Sequence, residues 1–354
     1  MRINSAKIPR SLLTERDISE PSAHVRVDYI ERAGISSWLS SPSTYPMALV
    51  SFGHTPAQQI PCPLIVPDLP LLDGSQRYEI WTSDRPVRFS TEGGMSTATN
   101  GDCLIGSIHL DETPGLTLDT ITYQAYRELL MRLRDWGYPY LWRMWNYFPR
   151  INEEQEGLER YRRFCVGRHQ AFSESLYGFP FSLPAATAVG TQSGPLHIMF
   201  LAGTRPAAHL GNPRQLHAYD YPSEYGPRSP SFARATLVRS EQDNLLFIAG
   251  TASIVGHASR HTGQAGEQTR ESIHNVLAVL GHAEALAETD KLGMPNHAMY
   301  KVYVRHPDML GEIRRMAERS PLPHRHLIFL QGDLCRKELL VEIEGLLITN
   351  ENRP

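Results

Sequence analysis

The sequence predicts an α+β protein built from two similar units packed in one chain. A succession of strand, helix, strand and strand occurs twice along the 354 residues. Corresponding positions lie at nearly constant offsets, 141 residues from Asp102 to Asp243 and 142 from His197 to Leu339. Such a unit buries its helix on one face of a sheet. We therefore expect a pseudo-duplicated fold whose two sheets pack against each other through the faces that the helices leave open.

The later unit has the clearer patterns. Its predicted elements are a strand at Asn244–Ser253, a helix at Glu267–Gly281 and strands at Met299–Arg305 and Glu338–Leu347. The helix carries one apolar stripe with i, i+3, i+4, i+7 spacing, formed by Ile273, Val276, Leu277 and Leu280.

The earlier unit follows the same order. Its predicted elements are a strand at Asp102–Leu110, a helix around Tyr126–Leu133 and strands at Tyr140–Tyr147 and Leu196–Thr204. We place the division after residue 210, which gives an N-terminal unit of residues 1–210 and a C-terminal unit of residues 211–354.

Two proline-rich stretches are predicted to be irregular. In residues 1–75, proline and serine interrupt helices and sustained strands, so we expect an irregular extension with short strands. The segment Asn212–Phe232 contains four prolines and three tyrosines. Because loops of this length are often functional, we expect more than a passive linker here.

Composition excludes several classes of protein. A formal net charge of −3 gives no basic surface for nucleic acid or an anionic membrane. The N-terminus has no apolar signal-peptide core and no 18 apolar residues run together, so neither secretion nor a membrane span is expected. Four widely separated cysteines favour a reduced, cytoplasmic protein over a disulfide scaffold or a zinc ribbon.

The common cofactor motifs are absent from the sequence. Neither GxxxxGK[ST] nor GxGxxG occurs, so a nucleotide cofactor is not expected. The histidine pairs His257/His261 and His324/His326 lack the HExxH pattern. We therefore predict surface or packing roles for them, and no metal.

The later unit resembles the RidA/YjgF family of small trimeric imine deaminases and ligand-binding proteins. The resemblance lies in AGT at 249–251, QxRxSxxNV at 268–276, VYV at 302–304 and VEIE at 341–344. It implies that Glu342 is an acid/base group and that ligands bind in a cleft between neighbouring units. Arg325 falls two residues out of step with the arginine that binds the ligand carboxylate in that family.

Over residues 140–345 the chain is more similar to the chorismatases, which remove pyruvate from chorismate and contain RidA-like (chorismate-mutase-like) folds. Shared strings include RxWNY at 143–147, GLERY at 157–161, YGPRxPSF at 225–232, YVRHP at 303–307 and QxDxCR at 331–336. The resemblance implies a chorismate site between the two units and no cofactor. Because an intrachain interface replaces the intersubunit cleft, the protein could be a monomer.

Glu342 is the candidate acid. Chorismate carries two carboxylates, and cleaving its enol ether requires a proton on the vinyl methylene before water or the substrate's own hydroxyl attacks. Glu342 lies between Val341 and Ile343 on an alternating strand, where desolvation raises a carboxyl pKa. Glu344 on the same face is the rival. The aligned residue of the earlier unit is Phe200, so we expect only one competent cleft.

Two arginines and several wall residues complete the predicted site. Two arginines are expected to bind the two carboxylates, because a guanidinium pairs with a carboxylate bidentately and keeps its proton. Arg228 is chosen because flanking prolines hold its segment rigid, and Arg314, with Arg315 as its alternative, because the resemblance to the chorismatases implies a substrate contact there. A solvent-facing arginine is the alternative for each. The other predicted contacts are Tyr219, Tyr225, Cys335 and Gly250. The tyrosines fit packing roles equally well, and the cysteine also fits an inert core thiol.

The resemblance to the chorismatases implies release of pyruvate and 3-hydroxybenzoate, with 4-hydroxybenzoate as a second product in some members. Gly250 favours the aromatic product, because a wall residue here decides whether water enters. One alternative is hydrolysis to a trans-dihydroxycyclohexadiene carboxylate. Another is a RidA-like deaminase or metabolite-binding protein, which would fit a solvated Glu342 or arginines that point away from a shared cleft.

Overall fold

Two six-stranded sheets and a smaller N-terminal sheet make up the fold, as seen in a computed structural model. The structure describes residues 25–40, 44–74, 76–112, 115–240, 243–287, 297–322 and 326–350. Arg325 and His324, singled out above, lie outside these ranges.

The N-terminal region is more regular than its proline content predicts. Its strands are β1 (Val25–Glu31), β2 (Tyr45–Ser51), β3 (Leu64–Ile65) and β4 (Arg77–Ser83), with a short helix α1 (Ile35–Leu39) after β1. They form a sheet in the order β1–β4–β2–β3. The prolines interrupt this region between strands: four of them flank or follow β3, at positions 61, 63, 67 and 70.

The first large sheet follows directly. Its strands are β5 (Arg88–Glu92), β6 (Met95–Thr99), β7 (Cys103–Leu110), β8 (Tyr140–Pro149), β11 (Ala185–Thr191) and β12 (Leu196–Gly203), while β9 (Glu154–Gln155) and β10 (Leu158–Glu159) form a small hairpin. The helices are α2 (Leu118–Asp135) and α3 (Arg160–Ser175). The strand order is β11–β8–β12–β7–β6–β5.

The second large sheet repeats this plan. Its strands are β13 (Ala208–Leu210), β14 (Ala235–Arg239), β15 (Asp243–Ala252), β18 (His297–Val304), β19 (His326–Gln331) and β20 (Val341–Asn350), while β16 (Ile254–Val255) and β17 (Ala258–Ser259) form a hairpin. The helices are α4 (Ala265–Ala287) and α5 (Leu310–Glu318). The strand order is β13–β14–β15–β20–β18–β19.

The two large sheets have the same topology. Read from its other end, the second order is β19–β18–β20–β15–β14–β13, and each strand then corresponds to the one at the same place in the first order. In each sheet the one parallel pair lies at an edge, β8 with β11 and β18 with β19, and the next pair is antiparallel, β8 with β12 and β18 with β20. The α+β class is therefore confirmed, whereas descent by duplication stays a prediction. The division of the chain into two units is also still a prediction, although β13 already pairs with β14 of the second sheet, which places the change of sheet before residue 208.

One apolar core joins the inner faces of the three sheets. It contains Trp81 from β4, Trp145 from β8 and Phe247 from β15, all buried. Helices α2 and α3 cover the outer face of the first large sheet, and α4 and α5 cover that of the second. None of the helices in the described ranges is long and apolar enough to cross a membrane.

The alignment that equates Phe200 of the earlier unit with Glu342 of the later unit is wrong, because the two side chains lie on opposite faces of their sheets. Phe200 packs in the outer layer with α2 and α3, whereas its neighbours Met199 and Leu201 face the shared core. A shift of one residue along a strand turns a side chain to the opposite face. Glu342 faces the interior, because its neighbour Ile343 packs beneath α4.

Candidate active site

A cavity of about 500 Å³ lies between the two large sheets. Thr187 on β11 and Arg168 on α3 line it from the first sheet and its helices, and Gly250 on β15 and Glu342 on β20 line it from the second. The irregular segment 212–232 supplies part of the wall, including Tyr225 in one of its two 3₁₀ turns. The expectation that this segment is more than a linker fits its place at the cavity.

Glu342 is a buried carboxyl without a partner. Its side chain is 4% exposed, and within the described part of the chain no hydrogen bond or ion pair involves it. Burial raises the pKa of Glu342 to about 8, and the charge of Glu344 adds to this effect, against the opposite influence of Arg143 and Arg234. The carboxyl is therefore protonated at neutral pH and faces the cavity, as a general acid requires.

Glu344 lies in the opposite electrostatic situation. It is also 4% exposed, but Arg143 donates to it at 2.8 Å and Lys301 lies 3.2 Å away. Burial alone would raise its pKa, but the charges of Lys301 and Arg143 outweigh burial and lower it. The two glutamates share one strand face, but the pKa of Glu342 is raised and that of Glu344 is lowered. Glu342 can therefore act as an acid while Glu344 stays ionised.

Gly250 leaves the room that the Glu342 carboxyl occupies. A Cβ atom at this position would collide with Oε1 of Glu342 and lie 3.2 Å from Cγ2 of Thr187. The Gly250 amide also donates a hydrogen bond to the hydroxyl of Thr187 at 3.0 Å. The absence of a side chain at position 250 therefore sets where the acid lies, a role more direct than the wall position that the sequence suggests.

Two fully buried arginines at the cavity lack an anionic partner among the described residues. Of the four most deeply buried arginines, Arg143 pairs with Glu344 and Arg160 with Glu112. Arg168, 1% exposed, and Arg234, 4% exposed, form no ion pair within the described residues. Their Nε atoms are buried without any hydrogen-bond partner. A buried, uncompensated cation is costly, so both side chains are positioned to bind an anion entering the cavity.

The surroundings of these arginines are aromatic. The guanidinium of Arg168 lies 4.8 Å from the ring centre of Phe164. That of Arg234 lies 4.9 Å from the ring of Phe232 and donates to the hydroxyl of Tyr221 at 2.6 Å. Arg234 also donates to the carbonyl oxygen of Leu216 at 3.4 Å. Stacking and hydrogen bonds to neutral groups orient the two guanidinium groups without neutralising them. Their charge remains available to a ligand.

Some of the predicted site residues come together at the cavity. Glu342, Gly250, Tyr225 and Cys335 all line it. Burial raises the pKa of the Cys335 thiol to about 12, with the nearby Glu342 adding to this, so the thiol is protonated. The Tyr225 hydroxyl is 3.0 Å from Nδ1 of His257, and its ring lies 4.0 Å from the guanidinium of Arg336.

Three other predicted residues are placed elsewhere. Arg228 is exposed and lies in a separate surface depression beside His169 of α3. Arg314 lies on α5, on the helix-covered side of the second sheet, with its guanidinium 5.1 Å from the ring of Phe329. Tyr219 stacks on the imidazole of its neighbour His217. The flanking prolines restrict the backbone near Arg228, but they do not decide which way its side chain points.

Sequence reasoning missed the arginines that reach the cavity. Arg168 follows Phe164 by four residues and precedes Phe172 by four, which places it on the apolar stripe of α3. A charged residue on such a stripe was the available signal. Arg234 had no comparable signal, because it precedes β14 in irregular chain.

One histidine-containing cluster lies away from this cavity. Asp28, His297 and His326 have side-chain ligand atoms within 4.8 Å of one another. Asp28 lies in β1, and the two histidines are the first residues of β18 and β19. Apart from it, no set of three metal-ligating side chains occurs among the described residues. The cavity itself is lined by one fully buried carboxyl, Glu342, one thiol and five cations, together with three less buried glutamates, Glu159, Glu224 and Glu338. At its buried end, where Glu342 lies with Arg168 and Arg234, the set is suited to binding an anion and donating a proton.

The fold and the cavity together define an α+β protein whose cavity combines a buried carboxylic acid with cations that an anionic ligand could pair with. Comparisons with known proteins agree. A family model described as "Chorismatase FkbO/Hyg5-like, N-terminal" matches residues 79–202. A 3-hydroxybenzoate synthase of Streptomyces hygroscopicus is 34% identical over 278 residues, covering 76% of this chain and 81% of that protein. A chorismatase of the same organism is 35% identical over 306 residues, covering 79% and 85%.

A solved structure is similar over almost the whole length. The crystal structure of a chorismatase covers 93% of this chain and 99% of that one, with a TM-score of 0.80 and 32% sequence identity. The chain belongs to the chorismatase family, as the resemblance of its motifs predicts.

Proposed function

We propose that this protein cleaves the enolpyruvyl ether of chorismate and releases pyruvate. The observation that carries the proposal is the pairing of one protonated buried acid, Glu342, with two buried arginines that lack anionic partners, Arg168 and Arg234. Chorismate is a dianion with an acid-labile enol ether, and it needs this combination of groups. The names of the similar proteins support the same substrate.

In the proposed mechanism, Arg168 and Arg234 each bind one carboxylate of chorismate. This replaces the sequence-based choice of Arg228 and Arg314, which lie outside the cavity. A bidentate guanidinium–carboxylate pair fixes both position and orientation of the substrate. Burial in a site of low effective dielectric strengthens both pairs.

Glu342 then donates its proton to the vinyl methylene. Protonation turns this carbon into a methyl group and leaves an oxocarbenium-like centre at the ether carbon. Attack on this centre by water would give a hemiketal that collapses to pyruvate and the dihydroxycyclohexadiene. Attack by the substrate's own C4 hydroxyl gives a cyclic ketal instead. Transfer of the C3 proton to the Glu342 carboxylate, with cleavage of the ring C4–O bond, then aromatises the ring and regenerates the acid, and collapse of the remaining hemiketal releases pyruvate, which keeps the C4 oxygen, and 3-hydroxybenzoate. Donation to a carbon that is poorly basic is the difficult step, so a carboxylic acid that is neutral at working pH is needed.

The ring product of this proposal is 3-hydroxybenzoate. Pyruvate and hydroxybenzoate together contain all the atoms of chorismate, whereas the dihydroxycyclohexadiene product requires one added water. One similar protein is named a 3-hydroxybenzoate synthase. Incubation with chorismate followed by chromatographic separation of the products tests both the cleavage of chorismate and the identity of the ring product. Formation of 3-hydroxybenzoate supports both claims. Formation of the dihydroxycyclohexadiene supports cleavage but contradicts the proposed ring product, and unconsumed chorismate contradicts both.

The rate of pyruvate release should fall as pH rises through about 8. Glu342 is active only when protonated, and burial raises its pKa to about 8, so activity is present below this pH and lost above it. Pyruvate is best measured after the reaction is quenched, so that the pH dependence of a coupling enzyme does not affect the measured rates. A rate that instead increases through this range would show that Glu342 acts as a base.

Replacing Gly250 with alanine should displace the acid. The added Cβ collides with Oε1 of Glu342, and a misplacement of about 1 Å can reduce turnover by ~10²-fold. We expect a lower kcat and a changed ratio of ring products, with KM less affected. Gly281→Ala is a suitable control, because a Cβ there meets nothing within 4 Å. Equal kinetics of the two variants would contradict the positioning role.

A further inference from the structure

The hydrogen bonds around Glu344 leave no place for a proton. Its Oε2 accepts from Arg143 at 2.8 Å and from the Thr187 hydroxyl at 2.6 Å. Its Oε1 accepts from the indole nitrogen of Trp145 at 3.0 Å and faces the Lys301 ammonium at 3.2 Å. All four partners are donors, so both oxygens must be acceptors.

The Thr187 hydroxyl has its direction fixed in the same way. Its oxygen accepts from Arg143 at 2.6 Å and from the Gly250 amide at 3.0 Å. Two donors use both lone pairs, so the hydroxyl hydrogen is directed to Glu344. The ionised state of Glu344 therefore follows from geometry, independently of any titration.

Glu344 belongs to a buried row of alternating charge that crosses all three sheets. Glu79 on β4 pairs with Lys301 on β18 at 2.8 Å. Lys301 also pairs with Glu344 on β20 at 3.2 Å, and Glu344 pairs with Arg143 on β8 at 2.8 Å. All four side chains are at most 6% exposed. Trp81 donates to the remaining oxygen of Glu79 at 2.9 Å. The N-terminal sheet thus completes the neutralisation of a row that ends beside the cavity.

We infer that Glu344 is a positioning residue whose fixed negative charge keeps Glu342 in its protonated, proton-donating form. The two glutamates are two residues apart on one strand face, a separation of about 7 Å between their backbone positions. Glu344 cannot release its charge by taking up a proton, because its four donors leave no site for one. Glu342 has no hydrogen-bond partner among the described residues, so it is the member of the pair that remains neutral. The inference rests on the proposed role of Glu342 as the acid.

Other charged and titratable groups also face the pair, and they set the balance. Those around Glu342 are Arg143, Arg234 and Arg305, Cys335 and the cavity arginine Arg168. Those around Glu344 are Arg143 and Lys301, with Glu79, Tyr29, Tyr147 and Tyr303 beyond them. The cations near Glu342 favour its ionised form, so removal of Glu344 would leave burial alone to oppose their effect.

The test is the protonation of Glu342 in Glu344→Gln, read without substrate. The carboxylic-acid stretch in the infrared spectrum that disappears in Glu342→Gln belongs to Glu342, and its loss can be followed against pH. In Glu344→Gln this loss should move to lower pH by about one to two units, the size expected for one charge at ~7 Å in a protein interior. The alkaline limb of kcat should move with it. Glu344→Asp retains the charge and should restore the original titration.

Glu112→Gln is a matched control. It also removes a carboxylate from a buried arginine, Arg160, but away from the cavity. It should lower stability without moving the Glu342 titration. If Glu344→Gln does not fold alone, Glu344→Gln combined with Lys301→Met removes one charge of each sign and carries the same prediction. A titration that stays in place in a folded variant lacking Glu344 would overturn the inference.

The infrared readout keeps this inference separate from the proposed function. A shifted titration in a protein that releases no pyruvate would support the electrostatic role and reject chorismate cleavage. An unshifted titration in a protein that does release pyruvate would reject the role of Glu344 and leave the activity standing.

Discussion

Replacing Glu342 with glutamine should reduce pyruvate release by at least ~10²–10⁴-fold, the usual contribution of a general acid. Glutamine keeps the size and the hydrogen-bonding capacity of the protonated acid but has no acidic proton. Chorismate should still bind, because the charges that hold it belong to Arg168 and Arg234. Single-turnover rates and equilibrium binding, measured on the same preparation, separate the two effects.

Two variants serve as controls for this result. Glu344→Gln should cost far less at a pH well below the alkaline limb, because Glu344 acts through Glu342 and does not supply the proton. Substitution at Phe200 should affect packing only, since its side chain lies in the layer beneath α2 and α3. Near-normal turnover in Glu342→Gln with an inactive Glu344→Gln would show that Glu344, and not Glu342, is the proton donor. Activity in both glutamine variants would require another proton donor.

Periodic signals in the sequence were sufficient for much of the fold. The apolar stripe at Ile273–Leu280 and the alternation around Glu342 predict α4 and β20 correctly, because both elements have one face on a core. The helix α3 was missed. Gly167 in its middle weakens the helical signal, and it is there because a Cβ would collide with the backbone of Asp119 in α2. Close helix packing can thus require a residue of low helix propensity.

The site was predictable only where strand geometry or shared motifs determine it. Glu342 was selected by its place on an alternating strand together with the family resemblance, and Gly250 by a strand string shared with relatives. Arg228 was selected within a proline-flanked shared string and Arg314 by the family resemblance, but whether a loop or helix arginine reaches the cavity depends on tertiary packing. The buried row through Lys301 was not predictable either, since it joins three sheets that are distant in sequence. Cytoplasmic location and a monomeric state remain predictions.

Replacing Arg168 or Arg234 with methionine should weaken chorismate binding by about 10- to 150-fold each, since a charge-assisted hydrogen bond contributes roughly 1.5–3 kcal/mol. Methionine fills a similar volume and retains contact with the neighbouring aromatic rings, so cavity collapse is limited. Titration calorimetry on the Glu342→Gln background measures the affinity without turnover. Arg228→Ala is the control: its side chain is exposed and outside the cavity, so affinity should not change.

The same substitutions should stabilise the ligand-free protein. In the absence of an anion, Arg168 is a buried charge with no ion-pair partner among the described residues, and replacing buried charges by apolar groups of similar size can add about 1–4 kcal/mol to the free energy of unfolding. Arg168→Met should therefore melt at a higher temperature than the parent protein, but gain little further from chorismate. Arg143→Met should instead lower the free energy of unfolding clearly, because it removes the arginine that pairs with the ionised Glu344 in the interior. If Arg168→Met were destabilised as strongly as Arg143→Met while still binding chorismate normally, Arg168 would be a structural arginine. The carboxylate would then have to bind to the less buried cations that also line the cavity, such as Arg336.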